Sequence, residues 1–494
     1  MTAIKPRDYQ IEFVNSIIKK LSEGHTRVCC QLATGAGKTI CFSYLLQRYL
    51  SRYPSAKIAI LVHRQELMMQ TKKTLSIFGI ENVYVEMVET FNNKLKKVPD
   101  IYFDLIILDE THIGNFFKLI DHFIERERAG QKATIILGFS ATPKSSSKKH
   151  PLNGYYQAIV TGVEINKLIE LQHLSPAIHH APPTQLNSKN IKVTAGEYNM
   201  AAMGIEFSKP KLVDAVVDAY EKFCKGKKTL VFNTTIEHSN LVHECFKNNG
   251  YNSRSLDSKS VTDEVRKETF EWLSNTPNAI LNNVGIATTG FDDPTIEAII
   301  FNRKTKSLPL WLQCCGRGSR LSPQTGKEYF IIIDLGDNIR GEKFGYWNEK
   351  HDWKGYFYNP DKPGEGAPPM KVCPNEKVPT IDTQTGKEIL VPCEALIYMA
   401  ATICPYCGFE MPRQTVYSDM IMELEILPDT PIRKNSQTFL HSLIKQITER
   451  IKPLQLTTNE KKEMMFYAFK EAHEKTGFEP KQHILSHLVS VYGK

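Results

Sequence analysis

Apolar residues in the first third of this chain come in short unbroken runs, without strict alternation. VCCQLA (28–33), IAILVH (58–63), LIILD (105–109) and TIILGFS (134–140) are each about one strand long. A run with no polar face suits a strand covered on both sides, as in a parallel sheet flanked by helices. Amphipathic segments such as TICFSYLLQRYL (39–50) lie between the runs. The alternation predicts a doubly wound α/β domain over 1–145. A second set, TLVFN (229–233), AILNN (279–283), AIIFN (298–302) and YFIIID (329–334), predicts another over 211–340. The stretch between them, 146–210, is less regular and reads as a connector; the Lys- and Ser-rich KSSSKKHP (144–151) opens it. Trp, Tyr, Gly and Pro dominate from 341, which reads as an irregular linker over 341–370. Cysteines mark 371–413, and FLHSLIKQI and EMMFYAFKEAH give 414–494 a helical spacing.

Composition narrows this little. The chain has 494 residues, 41% hydrophobic and 23% charged, which suits a protein of several domains. No apolar stretch approaches the roughly 18–20 residues of a membrane span, and MTAIKPRDYQ lacks the apolar core of a signal peptide. The expectation is a cytoplasmic protein without a membrane partner. The net charge of +8, from 62 Lys+Arg against 54 Asp+Glu, is compatible with a phosphate backbone but does not by itself point to one. Of the 11 cysteines, seven are scattered through the first 315 residues and form no disulfide framework.

Chemistry enters at ATGAGKT (33–39), between a strand-like and a helix-like run. Small residues at Thr34, Gly35, Ala36 and Gly37 let backbone N–H groups face phosphates, and the following helix N-terminus adds a favourable dipole. Lys38 would reach the terminal phosphates of ATP, and the Thr39 hydroxyl would ligate Mg²⁺. The sequence DETH (109–112) ends the run LIILD. A carboxylate at the C-terminal edge of a parallel strand faces the ligand crevice. Asp109 would hold Mg²⁺ through its hydration shell, and Glu110 would orient and activate the attacking water. His112 could couple this site to the second domain.

In this order the motifs resemble superfamily 2 helicases and translocases of the DEAD/DEAH-box kind, with two RecA-like domains, across the first 340 residues. RDYQ (7–10) resembles the adenine-reading motif, which implies Arg7 and Gln10 at the base. VHRQELMMQ (62–70) and VETF (88–91) resemble motifs that touch the nucleic-acid backbone, implying Arg64, Gln65 and Thr90 as contacts. SAT (140–142) resembles the motif linking hydrolysis to domain motion, through Ser140 and Thr142. LVFNTTIEHS (230–239) implies Asn233 as a nucleic-acid contact. GIATTGFDDP (285–294) implies Gly290 and Asp292 at the nucleotide, with Thr288 and Thr289 on backbone phosphate or relaying the nucleotide state. QCCGRGSR (313–320) supplies Gln313 for coupling and Arg317 and Arg320 as arginine fingers. A permanent charge with a forked donor set suits the developing γ-phosphate charge. RDYQ, DETH, TTGFDDP and RKTKSLPLWLQCCGRGSR (303–320) are most similar to RadD-type DNA repair helicases and their phage relatives. In that group Arg303, Thr305 and Ser307 precede the glutamine of the last motif, and Thr305 and Ser307 are expected to meet nucleic acid.

CPYCG (404–408) has the look of a zinc knuckle, since two thiolates at this spacing reach one tetrahedral ion. With Cys373 and Cys393, Cys404 and Cys407 complete a Cys₄ set, read as a Zn²⁺ ribbon. Cys393 lacks a C-x-x-C partner, so NEKVPTIDTQTGKE would have to be a β-hairpin inserted between the first two ligands. Four protein ligands leave no open position for catalysis. The leading expectation is therefore an ATP hydrolase acting as a DNA helicase or translocase, on single-stranded or branched DNA, in repair or recombination. A single-strand-binding or repair protein is the expected protein partner. The alternatives are the motor subunit of a restriction-type or defence complex, an RNA helicase, or an inactive ATPase scaffold. With the adenine motif beginning by residue 7, no N-terminal nuclease is expected, and Lys38, Asp109, Glu110, Arg317 and Arg320 are all present, which argues against an inactive scaffold.

Overall fold

The computed structural model describes residues 5–113, 116–145, 149–182, 191–194, 196–257, 261–286, 293–360, 367–381 and 387–411. The helical reading of 414–494 and the motif V residues Thr288, Thr289, Gly290 and Asp292 lie outside the described residues. Residues Met1–Met399 make one compact unit; a second begins at Ala400, of which 400–411 are described. Among the described residues no helix is long and apolar enough to cross a membrane.

Six strands form the first sheet: β1 (Arg27–Gln31), β2 (Ile58–Val62), β3 (Tyr84–Met87), β4 (Leu105–Asp109), β5 (Ile135–Ser140) and β6 (Ala158–Thr161). All pair in parallel, in the order β3-β2-β4-β5-β1-β6. In β2 and β4 all five residues are buried, as continuous apolar runs require when helices cover both faces. The order places β4, β5 and β1 side by side. Their C-terminal ends carry DETH, SAT and the phosphate loop, so three segments distant in sequence meet at one edge.

The chain then crosses to the second sheet at β7 (Ala177–His180), which pairs in parallel with a strand that comes about 150 residues later in sequence. A small antiparallel pair, β8 (Val193–Thr194) and β9 (Glu197–Tyr198), follows. The remaining strands are β10 (Thr229–Phe232), β11 (Ser253–Asp257), β12 (Ile280–Val284), β13 (Ala298–Phe301) and β14 (Phe330–Asp334). The order is β11-β12-β10-β13-β14-β7, again all parallel. The stretch expected as a connector thus gives β6 to one sheet and β7 to the other. It contains a domain boundary and four strands, β6 to β9.

The stretch expected as an irregular linker also packs. Trp347 is fully buried, edge-on to Phe330 of β14 with ring centres 5.3 Å apart. The short helix Trp353–Tyr358 then places Phe357 in the apolar cluster of the first domain, with Leu152, Tyr156 and Ile159. One segment therefore leaves the second domain and anchors on the first. Beyond it, β15 (Met370–Val372) pairs with β18 (Leu396–Tyr398), and β16 (Val378–Ile381) with β17 (Glu388–Val391), both antiparallel.

Candidate active site

The phosphate loop leaves β1 and enters the helix Lys38–Arg52 through two left-handed glycines, Gly35 and Gly37, each at φ 83°. Glycine is needed at Gly37 for space as well as for φ, because a Cβ there would lie 2.5 Å from Gln10 Nε2. Gln10 is buried and uses both ends of its amide within the protein. Its Oε1 accepts the Arg7 backbone N–H at 3.0 Å, and its Nε2 donates to the Ala36 carbonyl at 3.0 Å. The Tyr9 hydroxyl donates to the same carbonyl at 3.1 Å. RDYQ therefore braces the phosphate loop from behind, and of the two residues expected at the base, Arg7 is the exposed one.

Lys38 and Glu110 meet at the ends of β1 and β4, with Nζ 2.9 Å from Oε1. Glu110 sits at φ 55°, a left-handed conformation that costs an L residue roughly 1–2 kcal/mol. Such strain persists where surrounding structure over-determines it, commonly at functional sites. The Asp109 carboxylate accepts the Glu110 backbone N–H at 3.1 Å. Burial pushes Asp109 up to about 7, with the Glu110 charge adding to the rise. Burial would raise Glu110 too, but the Lys38 ammonium, with His112 and His63 beside it, outweighs burial and holds it low. Glu110 is thus the more readily ionised member of the pair.

From Glu110 a chain of contacts leads to the SAT segment. His112 Nδ1 lies 3.4 Å from Glu110 Oε2 and 2.9 Å from Ser140 Oγ, and the same Oγ accepts the Thr142 backbone N–H at 3.0 Å. Burial lowers the His112 pKa, against the opposing pull of the Glu110 carboxylate. His112, Ser140 and Thr142 are brought together as one buried strip.

The second domain closes over this edge. A Cβ added to Gly316 would meet Thr34 Cγ2 at 2.9 Å, so the arginine loop rests against the phosphate loop with no room for a side chain. Arg317 follows directly; burial lowers its pKa, while the nearby Glu110 carboxylate raises it. Its guanidinium is therefore within electrostatic reach of Glu110. Arg320, lowered to about 10 by burial, lies at the end of the same loop. Gln313 is buried at the end of the preceding helix, Leu308–Cys315. Gln31, Thr34, Thr142, Leu312, His351 and Trp353 line a cleft where the phosphate loop, SAT and the arginine-bearing segment converge. A phosphate cradle, an ionised carboxylate and arginines from across a cleft are the parts of a phosphoryl-transfer site.

Residues 3–98 match the family described as "Type III restriction enzyme, res subunit", and residues 209–322 match "Helicase conserved C-terminal domain". Over these two stretches the chain is similar to superfamily 2 helicases. This chain is 30% identical over 357 residues to "Putative ATP-dependent helicase IRC3" of Saccharomyces cerevisiae, across 67% of this chain and 51% of the yeast protein. It is 25% identical over 401 residues to the "51.5 kDa protein" of Lactococcus phage isolate 7-9, across 80% of this chain and 81% of that one. In fold it is similar to "a putative HsdR subunit of a type I restriction enzyme from Vibrio vulnificus YJ016", with TM-score 0.53 and 21% identity over 69% of this chain and 67% of that chain. The chain spans about half the length of its yeast relative.

The residues expected to meet nucleic acid divide. Gln65 and Thr90 are exposed at the starts of the helices Gln65–Ile77 and Val88–Lys97. Arg64 bridges the domains instead, since both its terminal nitrogens donate to the Gly285 carbonyl at 3.2 Å. Beside it, Arg266 of the second domain pairs with Glu66 of the first at 2.6 Å. Three of these residues have their polar atoms engaged within the protein. Asn233 is 1% exposed, with its Nδ2 donating to Ser239 Oγ and Asn282 Oδ1 at 3.3 Å each and its Oδ1 accepting from Asn302 at 2.8 Å. Thr305 is fully buried and donates to Glu197 at 2.7 Å. Ser307 caps the helix Leu308–Cys315, accepting the Leu310 N–H at 3.3 Å. Their polar atoms serve the fold, which motif position alone does not show. Tyr9 and Arg266 were missed by the reading of the sequence; Tyr9 stood inside RDYQ, while nothing near Arg266 marks it.

The sulfurs of Cys373, Cys393, Cys404 and Cys407 all lie within 4.8 Å of one another. The hairpin β16–β17 is inserted between the first two, as their spacing requires. Within CPYCG, the Gly408 N–H donates to the Cys404 carbonyl at 2.9 Å, with Gly408 at φ 70° making the turn.

Proposed function

We propose that this chain is an ATP-driven motor that moves along or remodels DNA. The observation that carries the reading is the ATP site assembled across the cleft: Lys38 and Glu110 at 2.9 Å on one domain, and Gly316–Arg317 of the other seated on Thr34. Thr39 and Asp109 would hold Mg²⁺, which neutralises β- and γ-phosphate charge. When ATP enters, Lys38 exchanges Glu110 for phosphate and the carboxylate is freed. Glu110 then accepts a proton from the water attacking the γ-phosphorus, the bond to the β-γ bridging oxygen breaks, and ADP leaves. Arg317 and Arg320 neutralise the charge that develops on the transferring group. Because the arginines come from the second domain, hydrolysis and domain closure depend on each other. His112, Ser140 and Thr142 are placed to pass that state along the first domain.

Contacts with DNA would be chiefly to phosphate, hence tolerant of sequence and sensitive to salt. Cys373, Cys393, Cys404 and Cys407 would hold a structural Zn²⁺ in a closed site that supplies no chemistry to the motor. A module of this kind after the motor, and the resemblance to RadD-type proteins, support a role in repair or recombination. A restriction-type motor is the second reading, favoured by the family match over residues 3–98. Steady-state ATP hydrolysis, measured with single-stranded DNA, duplex DNA and RNA, tests the proposal. Stimulation by DNA is expected; a chain that hydrolyses ATP no faster with any of the three is not such a motor.

A further inference from the structure

Lys327 belongs to no motif, yet its ammonium touches the flanks of two. It donates to the carbonyls of Pro294 at 2.7 Å, Ile296 at 2.8 Å and Gly318 at 3.1 Å. The first two end the GIATTGFDDP segment and follow it; the third stands between Arg317 and Arg320. An ammonium has three donors, and here each has a backbone carbonyl. The lysine is itself fixed by a tight turn. Its N–H donates to the Ser322 carbonyl at 3.3 Å, after the 3₁₀ turn Pro323–Thr325 and a left-handed Gly326 at φ 65°.

The arginine loop is held on other sides as well. The Ser319 carbonyl accepts the Ser175 N–H at 2.7 Å, and the Arg320 carbonyl accepts the Ser175 hydroxyl at 3.3 Å. Gly318 lies flat on the Phe330 ring, where a Cβ would come within 2.3 Å of it. Three consecutive carbonyls, Gly318 to Arg320, are thus occupied by donors of the protein. A carbonyl so engaged is not free to turn its negative end toward a phosphate, where it would oppose the guanidinium groups.

We propose that Lys327 is a positioning residue for hydrolysis: by gathering the Pro294, Ile296 and Gly318 carbonyls on one cation, it sets where Arg317 and Arg320 stand over the transferring phosphate. The idea rests on the ATP hydrolysis proposed above. A displacement of a catalytic group by about 1 Å can cost on the order of 100-fold in rate. All three donors of the ammonium are taken by backbone carbonyls, so its loss should alter kcat and leave binding on the first domain alone.

The test compares wild type, Lys327→Met and Lys327→Arg in the full chain. Hydrogen–deuterium exchange without nucleotide should rise at least about tenfold in Lys327→Met over residues 293–297 and 316–322, with residues 32–39 unchanged. ATP turnover should fall at least about tenfold with KM within about threefold, and adding Arg317→Ala should lower it little further, since both changes disable one element. Lys327→Arg keeps the charge but fans its donors over a plane. It should retain the wild-type melting temperature, recover part of kcat, and remain measurable if Lys327→Met does not fold. Wild-type exchange at both segments overturns the proposal when it is seen in folded Lys327→Met, or in Lys327→Arg together with a lowered kcat, as does a kcat loss that multiplies with that of Arg317→Ala. A wild-type chain that does not hydrolyse ATP refutes the proposed function instead, and the exchange measurement still decides whether the lysine holds the loops.

Discussion

Asn233 separates two accounts of the second domain. If it touched DNA, removing its side chain would weaken binding and leave stability alone. The structure predicts the reverse. Asn233→Ala deletes three hydrogen bonds, to Ser239, Asn282 and Asn302. It leaves the Asn282 carbonyl oxygen without that donor and the Asn302 amide with His238 Nε2 at 3.2 Å. A buried hydrogen bond contributes about 0.5–1.5 kcal/mol net, and a buried polar group left unsatisfied costs about 1–3 kcal/mol. Some relaxation of neighbouring amides is expected, so the sum is about 2–4 kcal/mol. For a domain of roughly 150–250 residues, each kcal/mol shifts the melting temperature by about 2–4 °C, which gives a fall of about 5–15 °C. A multidomain chain does not unfold in two states, so calorimetry should follow the transition assigned to the second domain by limited proteolysis. Single-stranded DNA affinity, measured well below the melting range at fixed salt, should stay within about threefold of wild type. A variant that melts like wild type and binds DNA at least about tenfold more weakly would refute the assignment and restore Asn233 to the nucleic-acid surface.

Other expectations concern the cleft and the thiols. Lys38→Ala should lower ATP turnover by at least about 1,000-fold with the far-UV circular dichroism of the wild type, because the cation that meets the phosphates is gone. Glu110→Gln should bind ATP within about threefold of wild type and lose at least about 100-fold in kcat; full activity in this variant would remove Glu110 from its role as the proton acceptor. Arg64→Ala, which deletes the paired hydrogen bonds to the Gly285 carbonyl, should widen the distance distribution between spin labels on the two domains and lower kcat. An unchanged distribution would show that this bridge does not hold the cleft. The purified chain should release about one zinc per chain on thiol modification, and Cys404→Ser should abolish that release; a metal-free wild-type chain would exclude the zinc reading.

The parallel strands at the centres of both sheets were legible because they are buried on both faces, and IAILV, LIILD and FIIID carry that burial as unbroken apolar runs. The edge strands were not. SRSLD of β11 mixes polar with apolar residues because one side of an edge strand has no neighbouring strand. The phosphate loop and DETH were legible for a different reason: their chemistry is local, confined to a turn and a strand end.

What the sequence alone determined is therefore the set of reactive parts and the order in which they occur. Tertiary structure decided which of them meet. Only the sheet order β4-β5-β1 brings Glu110, Ser140 and Lys38 to one edge, although 102 positions part Lys38 from Ser140 in sequence. Only packing shows that Asn233 and Thr305 are buried and hydrogen-bonded inside the protein, while Gln65 stays exposed. The roles of Lys327 and Trp347 were invisible for the same reason: a lysine reading three carbonyls, or a tryptophan under a loop, depends on long-range placement that no window of residues contains.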